Sequence, residues 1–219
     1  MRVGSWVILA AGLMVSTTVF GYDIGLVPLH EFSEQEGKAY GQNISLQGTP
    51  DQIRKMRRWF EQIAAVPKGY QTLVSIQESG HKLMIFHSRR SIISSGKTSA
   101  PMSTNLINGI GESVDIYFNF DIPDGGSHWV FDRSRSRIEF RAIQNLYHEL
   151  AHAMHMMNGT WAYAASEVQA IQEENIFRRQ LAEIEQQPYL ERVYVSGAPI
   201  CPETPELVDA SWQQDIICF

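Results

Sequence analysis

The hydrophobic period of the chain runs from helical to alternating and back to helical, and each change marks a change of element. Thr49-Pro50-Asp51 supplies a capping hydroxyl, a proline at the first helical position and an acid in the first turn. Ile53, Met56, Phe60 and Ile63 then recur at three- and four-residue intervals, which predicts a helix with one apolar face. Arg54, Lys55, Arg57 and Arg58 fall on the other side, as a solvated face does. Pro67 and Gly69 are expected to end it. Beyond them, "TLVSIQES" and "HKLMIFHS" predict strands joined through Gly80 as a hairpin, and "SVDIYFNF" (residues 113–120) predicts a third strand. "SRRSIISSGKTSAPMSTN" and "DIPDGGSH" have the composition of loops. Helical spacing returns from about residue 140 to 158, and "SEVQAIQEENIFRRQLAEIE" predicts a second long helix. A helix and a small sheet followed by two helices make a single α+β domain.

Composition narrows the class without naming it. The chain has 219 residues, 44% hydrophobic and 19% charged, so it can bury an ordinary core as one domain. Its formal charge of -6 offers no global basic field for nucleic acid or an anionic membrane. The N-terminus adds a destination. Arg2, the apolar run from Trp6 to Val15, and the small or hydroxylated residues after it have the layout of a secretory signal peptide with cleavage after Gly21. The run falls short of the roughly 20 residues that cross a bilayer. The expected division is therefore a signal peptide at 1–21 and a domain at 22–219, secreted to the extracellular space or periplasm, without stable membrane association after cleavage.

Two cysteines, Cys201 and Cys218, agree with export. An even count in an exported chain predicts a disulfide, here closing a loop of 16 intervening residues. In the chain-entropy account such a loop contributes about 3 kcal/mol. Asn43-Ile-Ser45 and Asn158-Gly-Thr160 are sequons.

The chemistry concentrates in "NLYHELAHAMHMMNGTW", residues 145–161. On a helix, His148 and His152 lie one turn apart on one face, so their imidazoles can converge on one metal ion, and neutral imidazole suits zinc. Glu149, beside the first histidine, can take a proton from metal-activated water without coordinating the ion itself. Leu150, Ala151, Tyr147 and Ala153 wrap these positions in apolar residues, as a buried site requires. His155 lies nearly on the same face but about 10 Å along the axis from His148, too far to share its ion. The metzincin continuation His-x-x-Gly-x-x-His fails, because His155 occupies the glycine position and Asn158 the histidine position. A catalytic zinc site needs a third protein ligand. After a turn at Gly159 the next helix offers Glu167 first and Glu174 second on the face that packs back, while Glu173 points elsewhere. The carboxylate that does not bind is expected to orient a histidine.

Taken together, "HELAHAMHMMNGTW" and "SEVQAIQEENIFRRQL" resemble the effector-type zinc metallopeptidases of bacterial pathogens, the NleD-like family. That resemblance spans roughly residues 140–182. It implies a zincin-like domain in which the His-Glu-x-x-His helix packs on a glutamate-bearing helix. It also implies one Zn2+ held by His148, His152 and Glu167, with Glu149 as the general base. Glu174, Asn175 and Arg178 match a later segment expected to be structural. The export signal departs from that family, whose members are usually delivered by dedicated secretion machinery. Deuterolysin-like peptidases are a second resemblance, but Ala162 stands where their zinc-binding aspartate belongs and Ala165 where their tyrosine belongs.

The expected function is thus a secreted zinc-dependent endopeptidase, of a virulence or effector type, acting on a protein or peptide. The competing classes are a deuterolysin-like protease and a secreted protein that binds zinc without catalysis. Tyr163, Tyr189, Tyr194 and His128 are candidate donors to a developing oxyanion. "SVDIYFNF" is either a core strand or an edge strand that aligns an extended substrate.

Overall fold

A computed structural model describes residues 27–28, 41–89 and 96–194. The signal-peptide segment and both cysteines lie outside the described residues. The chain runs β1 (Val27–Pro28), β2 (Ile44–Gln47), α1 (Pro50–Ala64), α2 (Pro67–Glu78), β3 (Leu83–His87), β4 (Gly96–Ser99), β5 (Val114–Phe118), β6 (His128–Phe131), β7 (Arg137–Phe140), α3 (Ala142–Met157) and α4 (Ser166–Glu185). Its mixed helix-and-sheet architecture is the expected α+β class.

The first helix forms as its sequence dictates. The Thr49 hydroxyl accepts from the Gln52 backbone N–H, and the Gln52 side chain accepts from the Thr49 N–H. This reciprocal capping box satisfies two of the end's unpaired donors. Pro67 does end α1, but it also opens α2, since a proline is tolerated in a first helical turn. Gly69 lies within α2 and gives the clearance that brings it against the Ile63 carbonyl.

The predicted hairpin through Gly80 is therefore corrected. "TLVSIQE" is the body of α2, with Thr72, Leu73, Val74 and Ile76 buried. Its β-branched residues suggest a strand locally, but helix packing overrides that weak propensity. α1 and α2 together form the crossover between β2 and β3, which pair in parallel, and a parallel connection needs such a detour.

The larger sheet has the order β1-β2-β3-β5-β4. β3 and β5 are parallel, while β4 runs antiparallel to β5. "SVDIYFNF" is thus an interior strand and not an edge. The edge on that side is β4, which lies within a stretch of loop-like composition. β6 and β7 form a separate antiparallel pair. α3 packs on α1, α2 and α4 and lies against β4 and β5, so one apolar core joins sheet and helices. Tyr147 anchors the junction: its ring stacks on Phe177 of α4 at 4.2 Å and its hydroxyl meets Thr72 of α2 at 3.0 Å. No helix of the described residues is long and apolar enough to cross a membrane.

Candidate metal centre

Helical periodicity and a tight exit build the site. His148 and His152 are successive turns of α3, both buried, with ring centroids 4.8 Å apart and planes at 89°. α3 ends at Asn158, whose side-chain amide donates to the Met154 carbonyl and to Ser75 of α2. Gly159 follows with φ +64°, and a Cβ there would lie 2.6–2.7 Å from backbone atoms of residues 105, 109 and 110. Only glycine meets both demands comfortably. The chain turns back through a short 3-10 turn, Tyr163–Ala165, into α4, whose first turn carries Glu167.

Glu167 closes the triangle. Its carboxylate oxygens lie 3.3 Å from His148 Nε2 and 3.1 Å from His152 Nε2. One donor atom from each of the three residues falls within 4.8 Å of the others, and among the described residues this is the group able to hold a metal ion. Burial acts to raise the Glu167 carboxyl, but the two imidazoles hold it well below the usual carboxylate range.

Behind the histidines lies a buried layer of charged side chains. Glu174 has no exposed side-chain surface, and its Oε2 lies 3.1 Å from His148 Nδ1 and 2.5 Å from Arg192 Nη1. Its Oε1 accepts from Arg178 Nε at 2.5 Å. Burial opposes the charge on Glu174, yet the two guanidiniums keep it ionised. Arg192 Nη1 also lies 3.3 Å from His148 Nδ1. Two donors do not bond each other, so this approach reflects both N–H groups converging on one carboxylate oxygen. That arrangement holds a proton on Nδ1 and aims Nε2 at Glu167, where it becomes a ligand atom once its own proton leaves, the usual carboxylate–histidine device of metal sites. Burial and Arg192 push the His148 pKa down, but Glu167 and Glu174 outweigh them and raise it to about 9 in the metal-free chain.

Phe140, at the end of β7, floors this layer, with the Arg178 and Arg192 guanidiniums 5.4 and 4.8 Å from its ring. Arg192 arrives from the segment after α4. Asn175 brackets its backbone with two hydrogen bonds, and Val193 N–H donates to the Phe131 carbonyl of β6. Glu149 is buried one residue along from His148, and the Thr98 hydroxyl of β4 donates to its Oε2 at 2.6 Å.

The remaining candidates fall elsewhere. His155 Nδ1 pairs with the Thr160 hydroxyl at 2.8 Å, and its ring lies 3.7 Å from Glu173, which also pairs with Lys68. The neighbouring His155 is the first reason the Glu173 carboxyl is lowered to about 2. Tyr163 is exposed and packs edge-on against Trp161, Tyr189 lies under the Arg179 guanidinium, and Tyr194 is half exposed. His128 is buried in β6, with Nδ1 bonded to Ser127. Thr98 and Arg192 join the site without having been among the residues expected there. Thr98 sits in a polar stretch with no alternation to betray a strand, and Arg192 carries no local signal.

The model of the Peptidase_M91 effector protein family matches residues 41–188. The chain belongs to that family. The family carries a peptidase name and is described as effector protein. This sets aside the deuterolysin-like alternative, for which Ala162 had already removed the aspartate. No match was found among curated protein sequences. Similar solved structures include the light chain of botulinum neurotoxin type G, at 16% identity and a TM-score of 0.38, covering 53% of this chain and 43% of that one. The light chain of botulinum neurotoxin serotype HA is 14% identical with a TM-score of 0.35, covering 63% of this chain and 51% of that one. The chain thus spans about half the length of those light chains or less.

Proposed function

We propose that this member of the Peptidase_M91 family is a secreted, zinc-dependent endopeptidase of the effector type. The observation that carries the reading is the convergence of His148 Nε2, His152 Nε2 and the Glu167 carboxylate, with the second nitrogen of His148 tied to Glu174. Two imidazoles and one carboxylate are a donor set suited to catalytic zinc. When bound, the ion would acidify water and polarise a substrate carbonyl. His148, His152 and Glu167 would hold it, and Glu174 keeps the proton on His148 Nδ1 so that Nε2 is the atom offered. Glu149 accepts the proton of the attacking water at its carboxylate and returns it to the leaving amine. Export by the residue 1–21 signal, and a staple between Cys201 and Cys218, complete the reading on sequence grounds.

The test combines metal analysis of purified protein with cleavage of a broad peptide library by wild type and Glu149→Gln. The expected result is one zinc per chain in both, with cleavage by wild type alone. A wild type that binds no zinc overturns the reading. Zinc without any cleavage would favour a secreted zinc-binding protein, and equal cleavage by both proteins would remove Glu149 from the chemistry.

A further inference from the structure

We propose that Thr98 is the positioning residue for the Glu149 base, and that Gly96 is the clearance that lets the carboxylate reach it. The proposal rests on the hydrolytic reading of Glu149 given above. Gly96 and Thr98 are alternate residues of the edge strand β4, so they present the same face, and that face meets α3. The Thr98 hydroxyl lies 2.6 Å from Glu149 Oε2 and 3.1 Å from the Glu149 carbonyl oxygen. It has one proton, and the shorter contact, to the carboxyl oxygen, takes it.

Gly96 makes the matching contribution by having no side chain. A Cβ there would lie 2.5 Å from Glu149 Cγ, 2.8 Å from Oε1 and 2.9 Å from Cδ, closer than real contacts allow. The Cγ, Cδ and Oε1 atoms of Glu149 therefore rest in the space a side chain at 96 would fill. Helix α3 supplies the acid, and β4 supplies both the donor that fixes it and the gap that admits it. A general base acts only within hydrogen-bond reach of its proton, and a glutamate on free rotors spends little time there. Thr98 removes that freedom from a strand held by β5 on its other side.

The experiment uses zinc-loaded wild type, Thr98→Val, Thr98→Ala, Thr98→Ser, Gly96→Ala and Glu149→Gln, assayed on the best-cleaved member of the peptide library. Thr98→Val, Thr98→Ala and Gly96→Ala are expected to lose about 10–100-fold in kcat with KM within about twofold of wild type. Their zinc content and melting temperature should stay at the wild-type level. Thr98→Ser, which keeps the donor, should recover to within about threefold of wild-type kcat. A crystal structure of Thr98→Val should show the Glu149 carboxylate turned away from its wild-type position against β4. Wild-type kcat in Thr98→Val and Thr98→Ala, or a Thr98→Ser as impaired as they are, overturns the proposal, as does an unmoved carboxylate. If Glu149→Gln is inactive while the Thr98 variants are not, the proposal falls and the protease reading stands. A Glu149→Gln as active as wild type, or a wild type that cleaves nothing, overturns both.

Discussion

Glu167 and Glu174 are the same residue type on the same helix, seven positions apart, and they have opposite surroundings. Glu174 has no exposed side-chain surface, and two arginines and a histidine claim its oxygens. Glu167 is 52% exposed by side chain, and among the described residues its ion-pair partners are the two imidazole Nε2 atoms. The difference separates a carboxylate that orients a ligand from one with room to be a ligand. An acid whose oxygens already accept from two guanidiniums and an imidazole is poorly placed to serve an ion. An acid at an open helix start, where the dipole favours negative charge, is better placed.

The comparison breaks most violently at Glu174. Glu174→Ala leaves Arg178 and Arg192 buried without their counter-charge, and removing one partner of such a buried cluster costs about 3–5 kcal/mol. Urea unfolding of the metal-free protein should report a loss of that size. Glu167→Ala should leave the fold intact and remove zinc instead, lowering affinity by more than about 100-fold in a competition titration, beyond what loss of an outer partner costs. If zinc affinity survives Glu167→Ala, the roles of the two acids are not as assigned.

Proton linkage sharpens the same contrast. In the metal-free chain the His148 pKa stands above its ordinary 6.5, at about 9. Its contribution to stability is therefore complete below about pH 6.5 and is lost as pH rises through about 9. Zinc needs the unprotonated Nε2, so its affinity should climb by up to roughly tenfold per pH unit across that window, then level off. Calorimetry in buffers of different ionisation enthalpy measures the released proton. The smallest effect is expected at His155, outside the triangle. His155→Ala removes one hydroxyl bond and a partly exposed ion pair, worth about 1 kcal/mol or less, and zinc affinity should hold within about twofold.

How much of this was legible in the sequence follows the locality of the physics. The N-cap at Thr49, the span of α4 and the turn at Gly159 are set by nearby residues, and the pattern read them correctly. The pairing of Glu167 with the two histidines followed from helix geometry plus one turn. What failed was decided by distant packing. "TLVSIQES" looks like a strand until α1 and α3 are laid against it, and β4 looks like a loop because its order comes from pairing with β5. Arg192 reaches Glu174 from 18 residues away through brackets from Asn175, a contact with no periodic trace. In both sequons the asparagine amide is engaged within the fold: that of Asn43 donates to the Ile76 and His81 carbonyls and that of Asn158 to Ser75 and Met154.

The direct measurement of the central claim is a zinc-edge anomalous diffraction map of the zinc-loaded wild type. The account predicts one peak ligated by His148 Nε2, His152 Nε2 and a Glu167 oxygen, with Glu174 bound to His148 Nδ1 and not to the ion. A peak ligated by Glu174, or no peak between the two histidines, would contradict it.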